Sequence, residues 1–121
     1  MPEFANPFSG KTIDRMLSMS ELVRAIRLDI AAEEEAIHLY MAQADATENE
    51  LAKKVLVDVA NEERQHVGEF SRLLQLLTGD EDKWLADGAE EVNEMAAELG
   101  GEPAPEEGKA AGDITIGSLK E

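Results

Sequence analysis

The chain has 121 residues, with 11 Lys and Arg against 27 Asp and Glu, a formal net charge of -16 and no cysteine. That charge argues against nucleic acid and anionic membranes as partners, since both are bound through Lys/Arg patches. The missing thiol removes disulfides, cysteine-type zinc sites, iron–sulfur clusters and thiol nucleophiles. No apolar run reaches the roughly 20 residues of a transmembrane helix, and Met1–Gly10 lacks the basic and apolar regions of a signal peptide. The expectation is one small domain, soluble and cytoplasmic, with no membrane and no nucleic acid.

Residues 1–79 hold 14 of the acids and 8 of the bases, and residues 80–121 the remaining 13 and 3. The apolar residues follow the opposite gradient. Residues 1–17 read as a polar arm. A first helix is predicted from about Met19 to Ala46, opened by a capping box of Ser18 with Glu21 and interrupted by neither Gly nor Pro. A second runs from about Glu48 to Leu77, with Thr47 and Glu50 as its capping box and Thr78-Gly79 as its stop. Gly68 inside it suggests a close helix contact. The turn between the two is very short, which makes them an antiparallel hairpin. A third, acidic helix is expected from Asp80 to Leu99, with Trp84 packing it. Residues 18–99 form the helical domain, 100–112 a flexible Pro/Gly/Glu linker, and 113–121 a separate apolar, β-branched end.

A helical wheel at about 100° per residue carries the next step. On the first helix Leu22, Ile26, Ile30, Ile37, Tyr40 and Ala44 fall within roughly 60° of Glu33. On the second, Leu56, Val59, Ala60, Val67, Phe70 and Leu74 fall within roughly 60° of Glu63, and His66 lies one turn on in the same seam. Both carboxylates therefore stand where leucine is expected and where a charge is costly. Glu33 precedes Thr47 by 14 residues and Glu63 follows it by 16. In an antiparallel hairpin these heights match to about half a turn, so Glu33, Glu63 and His66 should converge.

Two carboxylates and an imidazole buried together repel or protonate; a divalent cation reverses that logic. Carboxylate with imidazole suits Fe, Mn or Zn more than Ca or Mg. In four-helix di-iron proteins two helices each give a Glu and two others each give Glu-x-x-His. This chain carries half of that set. It is therefore expected to dimerise into a four-helix bundle holding two metals, and its fold class is all-α. A structural polar cluster is the competing reading. Glu35-x-x-His38 is a second such motif on the outer face of the first helix. It reads as a solvated acidic face, or with Glu34 as an auxiliary or access site for cations. Tyr40 reads as a neighbour of the centre, redox-active or simply core. Leu28 and Leu39 point away from the seam. The terminal Ile114-Thr115-Ile116-Gly117-Ser118-Leu119, on its tether, reads as an extended docking peptide for an apolar groove on another protein.

With Glu33-Glu34-Glu35-Ala36-Ile37-His38-Leu39-Tyr40, Asn61-Glu62-Glu63-Arg64-Gln65-His66 and the closing Gly117-Ser118-Leu119-Lys120, the chain resembles an encapsulated ferritin, the ferritin-like cargo of encapsulin nanocompartments. The Glu-x-x-His part is shared with rubrerythrins; the Ile-Gly-Ser-Leu ending resembles cargo-loading peptides. The resemblance implies a ferroxidase. Two half-ferritin chains would create a di-iron centre from Glu33, Glu63 and His66, with Tyr40 nearby, and dimers would assemble into a ring. It also implies oxidation of Fe(II) by dioxygen or peroxide, mineralisation inside the compartment, and residues 113–121 as the address read by the shell protein. Ala32 replaces one acid of the family's usual pattern, and His38-Leu39 replace its Asp-Trp. Two competing functions are a rubrerythrin-like peroxide-reducing enzyme, disfavoured by the absence of a cysteine-bound rubredoxin module, and a non-catalytic helical cargo or assembly protein.

Overall fold

A computed structural model describes residues 12–100. The beginning of the predicted N-terminal arm, the predicted linker beyond Gly100 and the predicted docking peptide lie outside the described residues. All regular structure among the described residues is helical, as the sequence predicts: α1 is Met19–Asp45, α2 is Glu50–Thr78 and α3 is Glu81–Glu98. The chain divides into two compact units at the Thr78–Gly79 junction.

The first unit is the predicted hairpin of α1 and α2. Its entrance is fixed by local hydrogen bonds. The Glu21 N–H donates to Ser18 Oγ at 3.1 Å and the Ser18 N–H donates to Glu21 Oε1 at 2.9 Å, which is the capping box. Arg15 then closes a fork on the same carboxylate, at 2.8 Å to Oε1 and 2.6 Å to Oε2. The guanidinium, helped by the Ser18 N–H, holds the Glu21 carboxyl at a pKa of about 2.

The turn differs from expectation in one respect. Asn49, not Thr47, caps α2: its Oδ1 accepts the Ala52 N–H at 2.9 Å. Thr47 Oγ1 instead accepts the Asn49 N–H at 3.1 Å, a local turn bond. The reason is space. α1 ends at Asp45, and a helix capped at Thr47 would leave one residue, Ala46, to reverse the chain. Moving the cap to Asn49 gives the reversal three, Ala46, Thr47 and Glu48. At the far end Gly79 takes φ +80°, the left-handed conformation that ends α2, and Thr78 Oγ1 donates to the Leu74 carbonyl at 2.9 Å.

The hairpin core is small. Ile26, Met41, Ala44, Ala60 and Leu74 are buried, and of these only the two alanines lose all exposure. All five are seam residues or, for Met41, the edge of the seam. Burying one large apolar side chain is worth about 1.5–3 kcal/mol, so one hairpin draws modest stability from its own seam. Gly68 does not mediate a close contact: a Cβ there would meet nothing within 4 Å.

The second unit contains α3, which has no buried residue. Trp84, Leu85, Val92, Met95 and Leu99 are each more than half exposed. Trp84 therefore does not pack the helix. Its Nε1–H donates to Asp80 Oδ2 at 3.3 Å, and Lys83 Nζ lies 5.2 Å from the ring centre. Asp80 binds the indole with the carboxylate that would otherwise cap α3, which has no side-chain cap bond.

Candidate metal centre

Glu33 comes from the middle of α1, and Glu63 and His66 from the middle of α2. The i,i+3 spacing sends both α2 side chains to one place, and the short turn sets Glu33 opposite them. One potential ligand atom from each of the three lies within 4.8 Å of the other two, and this is the group of metal-capable side chains found among the described residues. His66 Nδ1 lies 3.4 Å from Glu63 Oε2 and 3.5 Å from Glu33 Oε2.

Those separations bear on whether a cation fits. Donors about 2.1 Å from a metal and arranged near the tetrahedral angle stand about 3.4 Å apart. A charge-assisted hydrogen bond would draw the same atoms to about 2.7–2.9 Å. The two separations from His66 Nδ1 are therefore compatible with ligands around one cation.

Burial adds a second observation. The side chains of Glu33 and Glu63 keep 20% and 18% of their exposure, and that of His66 keeps 46%. Glu33 Oε2 is buried with no hydrogen-bond partner. A carboxylate oxygen in that condition costs on the order of 1–3 kcal/mol or more, and a cation bound between the three side chains relieves it. The donor set is oxygen and nitrogen only, which suits iron, manganese or zinc. The half-exposed imidazole also leaves one side of the group open.

The other residues singled out in the sequence lie elsewhere. Tyr40 is half-buried on the Glu33 side of α1, about 10 Å further along the axis. Glu34, Glu35 and His38 are exposed and are not among the side chains gathered at the centre. Leu39 is exposed as expected, while Leu28 is only partly so.

Sequence reasoning passed over Asp29. It stands one turn before Glu33 and about 40° round the helix from it. Crowding by its neighbours raises the Asp29 carboxyl above its usual pKa, although the residue as a whole is exposed. The same helical wheel that singled out Glu33 carried this signal.

The known proteins similar to this chain converge on one group. The family model described as Rubrerythrin matches residues 24–105. The chain is 35% identical to the "Encapsulin nanocompartment cargo protein EncC" of Myxococcus xanthus (strain DK1622), over 99% of both chains. It is 44% identical to the "Ferritin-like-encapsulin shell fusion protein" of Pyrococcus furiosus, over 68% of this chain and 24% of that longer protein. The encapsulated ferritin domain of Pyrococcus furiosus has a crystal structure that aligns with a TM-score of 0.68 at 40% identity, covering 74% of this chain and 91% of that one. The hairpin, its Glu/Glu/His group and these relatives together show that the chain belongs to the rubrerythrin family, among the encapsulated ferritin-like proteins.

Proposed function

We propose that two copies of the chain close their hairpins against each other into a four-helix bundle, and that the joint centre oxidises Fe(II) to Fe(III) for mineralisation inside an encapsulin compartment. One observation carries this reading: Glu33, Glu63 and His66 converge to within 4.8 Å around a buried carboxylate oxygen that has no hydrogen bond. Each chain supplies three donors, half the set used by di-iron bundles. The open side supports the pairing. Beside half-exposed His66, Val55 and Leu73 continue the same side of α2 as exposed apolar side chains, a surface that a second hairpin would cover.

The chemistry follows from the side chains. Glu33 and Glu63 place negative charge where the iron sits, which favours the ferric state. His66 holds position through Nδ1, the ring atom that faces both carboxylates. Ferrous iron is the substrate and gives up one electron per ion, with dioxygen or peroxide as acceptor. The apolar seam around the carboxylates keeps bulk water from competing for the ion. Tyr40 stands near enough along α1 to act as a neighbour of the centre. Exposed Glu34 and Glu35, with His38, serve as an access site that draws cations toward Glu33. Residues 113–121 act as the peptide read by the shell protein, so the chain works within a cytoplasmic compartment, and the paired chains assemble further into a ring.

An anaerobic Fe(II) titration followed by oxygen tests the centre. Saturation is expected at two ions per pair of chains, with rapid oxidation that Glu63→Ala and His66→Ala reduce by orders of magnitude. Equal rates in the variants would sink the proposal. Supplying peroxide in place of oxygen separates storage from a peroxide-reducing role. Deleting residues 113–121 and co-expressing with the shell protein tests the address; unchanged encapsulation would disprove it.

A further inference from the structure

Asp29 and His66 each lack something, and the hairpin sets them together. Asp29 lies 16 residues before the end of α1 at Asp45, and His66 lies 16 residues after the start of α2 at Glu50. At a rise of about 1.5 Å per residue the two stand at the same height, about 24 Å from the turn. They also share a flank. Asp29 is turned about 40° from Glu33, and His66 about 60° from Glu63. Because α1 and α2 run in opposite directions, both departures are toward the same side of the seam. The buried residues Ile26, Met41, Ala44, Ala60 and Leu74 are all turned to the other side. Exposed Val55 and Leu73 accompany His66. Asp29 and His66 therefore lie on the open face, the one that a second hairpin covers in the proposed pair.

Each group has an unmet need there. His66 Nδ1 faces the two carboxylates, so Nε2 is directed away from them. An imidazole that gives one nitrogen to a cation carries its proton on the other, and that N–H normally ends on a carboxylate, a carbonyl or water. Covering the open face removes the water. Asp29 has the converse lack. Crowding by neighbours is the one cause that raises its carboxyl above the usual pKa, and no donor or cation opposes it. Covering the face would deepen that cost. An N–H without an acceptor and a carboxylate without a donor thus meet at one height on one flank. Glu62 and Glu69, the other carboxylates one turn from His66 on the outer side of α2, are exposed. They are turned about 100–120° from Glu63, past His66 and away from the seam.

We propose that Asp29 is the positioning residue of the centre: when His66 Nδ1 takes the ion, the Asp29 carboxylate of the same chain accepts the Nε2–H. That bond fixes the ring and makes Nδ1 a stronger donor. The inference rests on Glu33, Glu63 and His66 being a metal centre, and adds a residue that never touches the ion.

Zn(II), which binds without changing oxidation state, tests it in the full-length protein. Asp29→Ala should weaken Zn(II) binding about 10–100-fold, the usual effect of losing such a partner, at unchanged stoichiometry. Asp29→Asn keeps an acceptor oxygen and should recover much of the loss, which a pure charge effect would not allow. Glu62→Gln and Glu69→Gln should bind nearly as wild type does. The second readout is nitrogen-15 NMR of the imidazoles, of which the chain has two. In the Zn(II) form His66 should carry its proton on Nε2, and that proton should exchange with water slowly in wild type and fast in Asp29→Ala. Circular dichroism confirms that each variant keeps its helices. Equal affinity in wild type and Asp29→Ala overturns the proposal. So does equal weakening in Asp29→Asn and Asp29→Ala, or a slow Nε2 proton that survives Asp29→Ala. A wild-type chain that binds no Zn(II) overturns the centre and this inference together, whereas the other results overturn the role of Asp29 alone.

Discussion

The hairpin and α3 are built from the same kind of helix, amphipathic, acidic and free of interior proline, yet they end in opposite conditions. The hairpin buries Ile26, Met41, Ala44, Ala60 and Leu74; α3 buries nothing. An amphipathic stripe states that a face needs covering. What covers it depends on chain connectivity. A four-residue turn brings α1 and α2 together in one unit; among the described residues α3 is the single helix of its own unit.

The largest break in that comparison is expected from paired core substitutions. Leu74→Ala should cost about 2–4 kcal/mol of unfolding free energy. Val92→Ala, in dilute metal-free chain, should change it by less than about 0.5 kcal/mol. Urea titrations followed by circular dichroism measure both, and equal losses would mean that α3 is packed after all. Next in size is a gain. Glu33→Leu should stabilise the metal-free hairpin by about 1–2 kcal/mol, because an oxygen without a partner is replaced by the side chain that the seam calls for. The same change should abolish iron oxidation. A loss of stability would mean that the approach of His66 Nδ1 at 3.5 Å already compensates the Glu33 carboxylate.

Smaller effects sharpen the local account. Asn49→Ala should cost about 1 kcal/mol and Thr47→Ala clearly less; the reverse order would return the cap to Thr47. The smallest effect is set by pH. With Glu21 held at about 2, against an ordinary 4.5, its pairing with Arg15 contributes fully above the ordinary value. That contribution is lost as pH falls from about 4.5 toward 2. The pair is exposed at the surface, so the effect is minor and screened by salt. Arg15→Ala should flatten this part of the stability–pH curve.

Much of the candidate centre was legible because it rests on integers. Positions 33, 47, 63 and 66 fix face and height through helical rise and rotation alone, and the error of half a turn lies within the reach of a glutamate. The cap of α2 was not legible, because Thr47 and Asn49 are both competent caps and the choice is made by the room the chain needs to reverse. Trp84 was misread for another reason. A large aromatic on a stripe predicts burial, but its indole N–H found Asp80 and its ring stayed in solvent. Asp29 was legible in the same wheel as Glu33 and was missed because it lies off the seam's centre.

Glu33 Oε2 has a consequence for selectivity. An acceptor that stands ready before any ion arrives takes whichever suitable cation comes first. Oxygen and nitrogen donors follow the order in which zinc and copper outrank ferrous iron, so Glu33, Glu63 and His66 would hold zinc at least as tightly as the ion they are proposed to oxidise. Discrimination then belongs to supply: which cations reach the seam, in what numbers, and how soon oxidation and release clear it for the next.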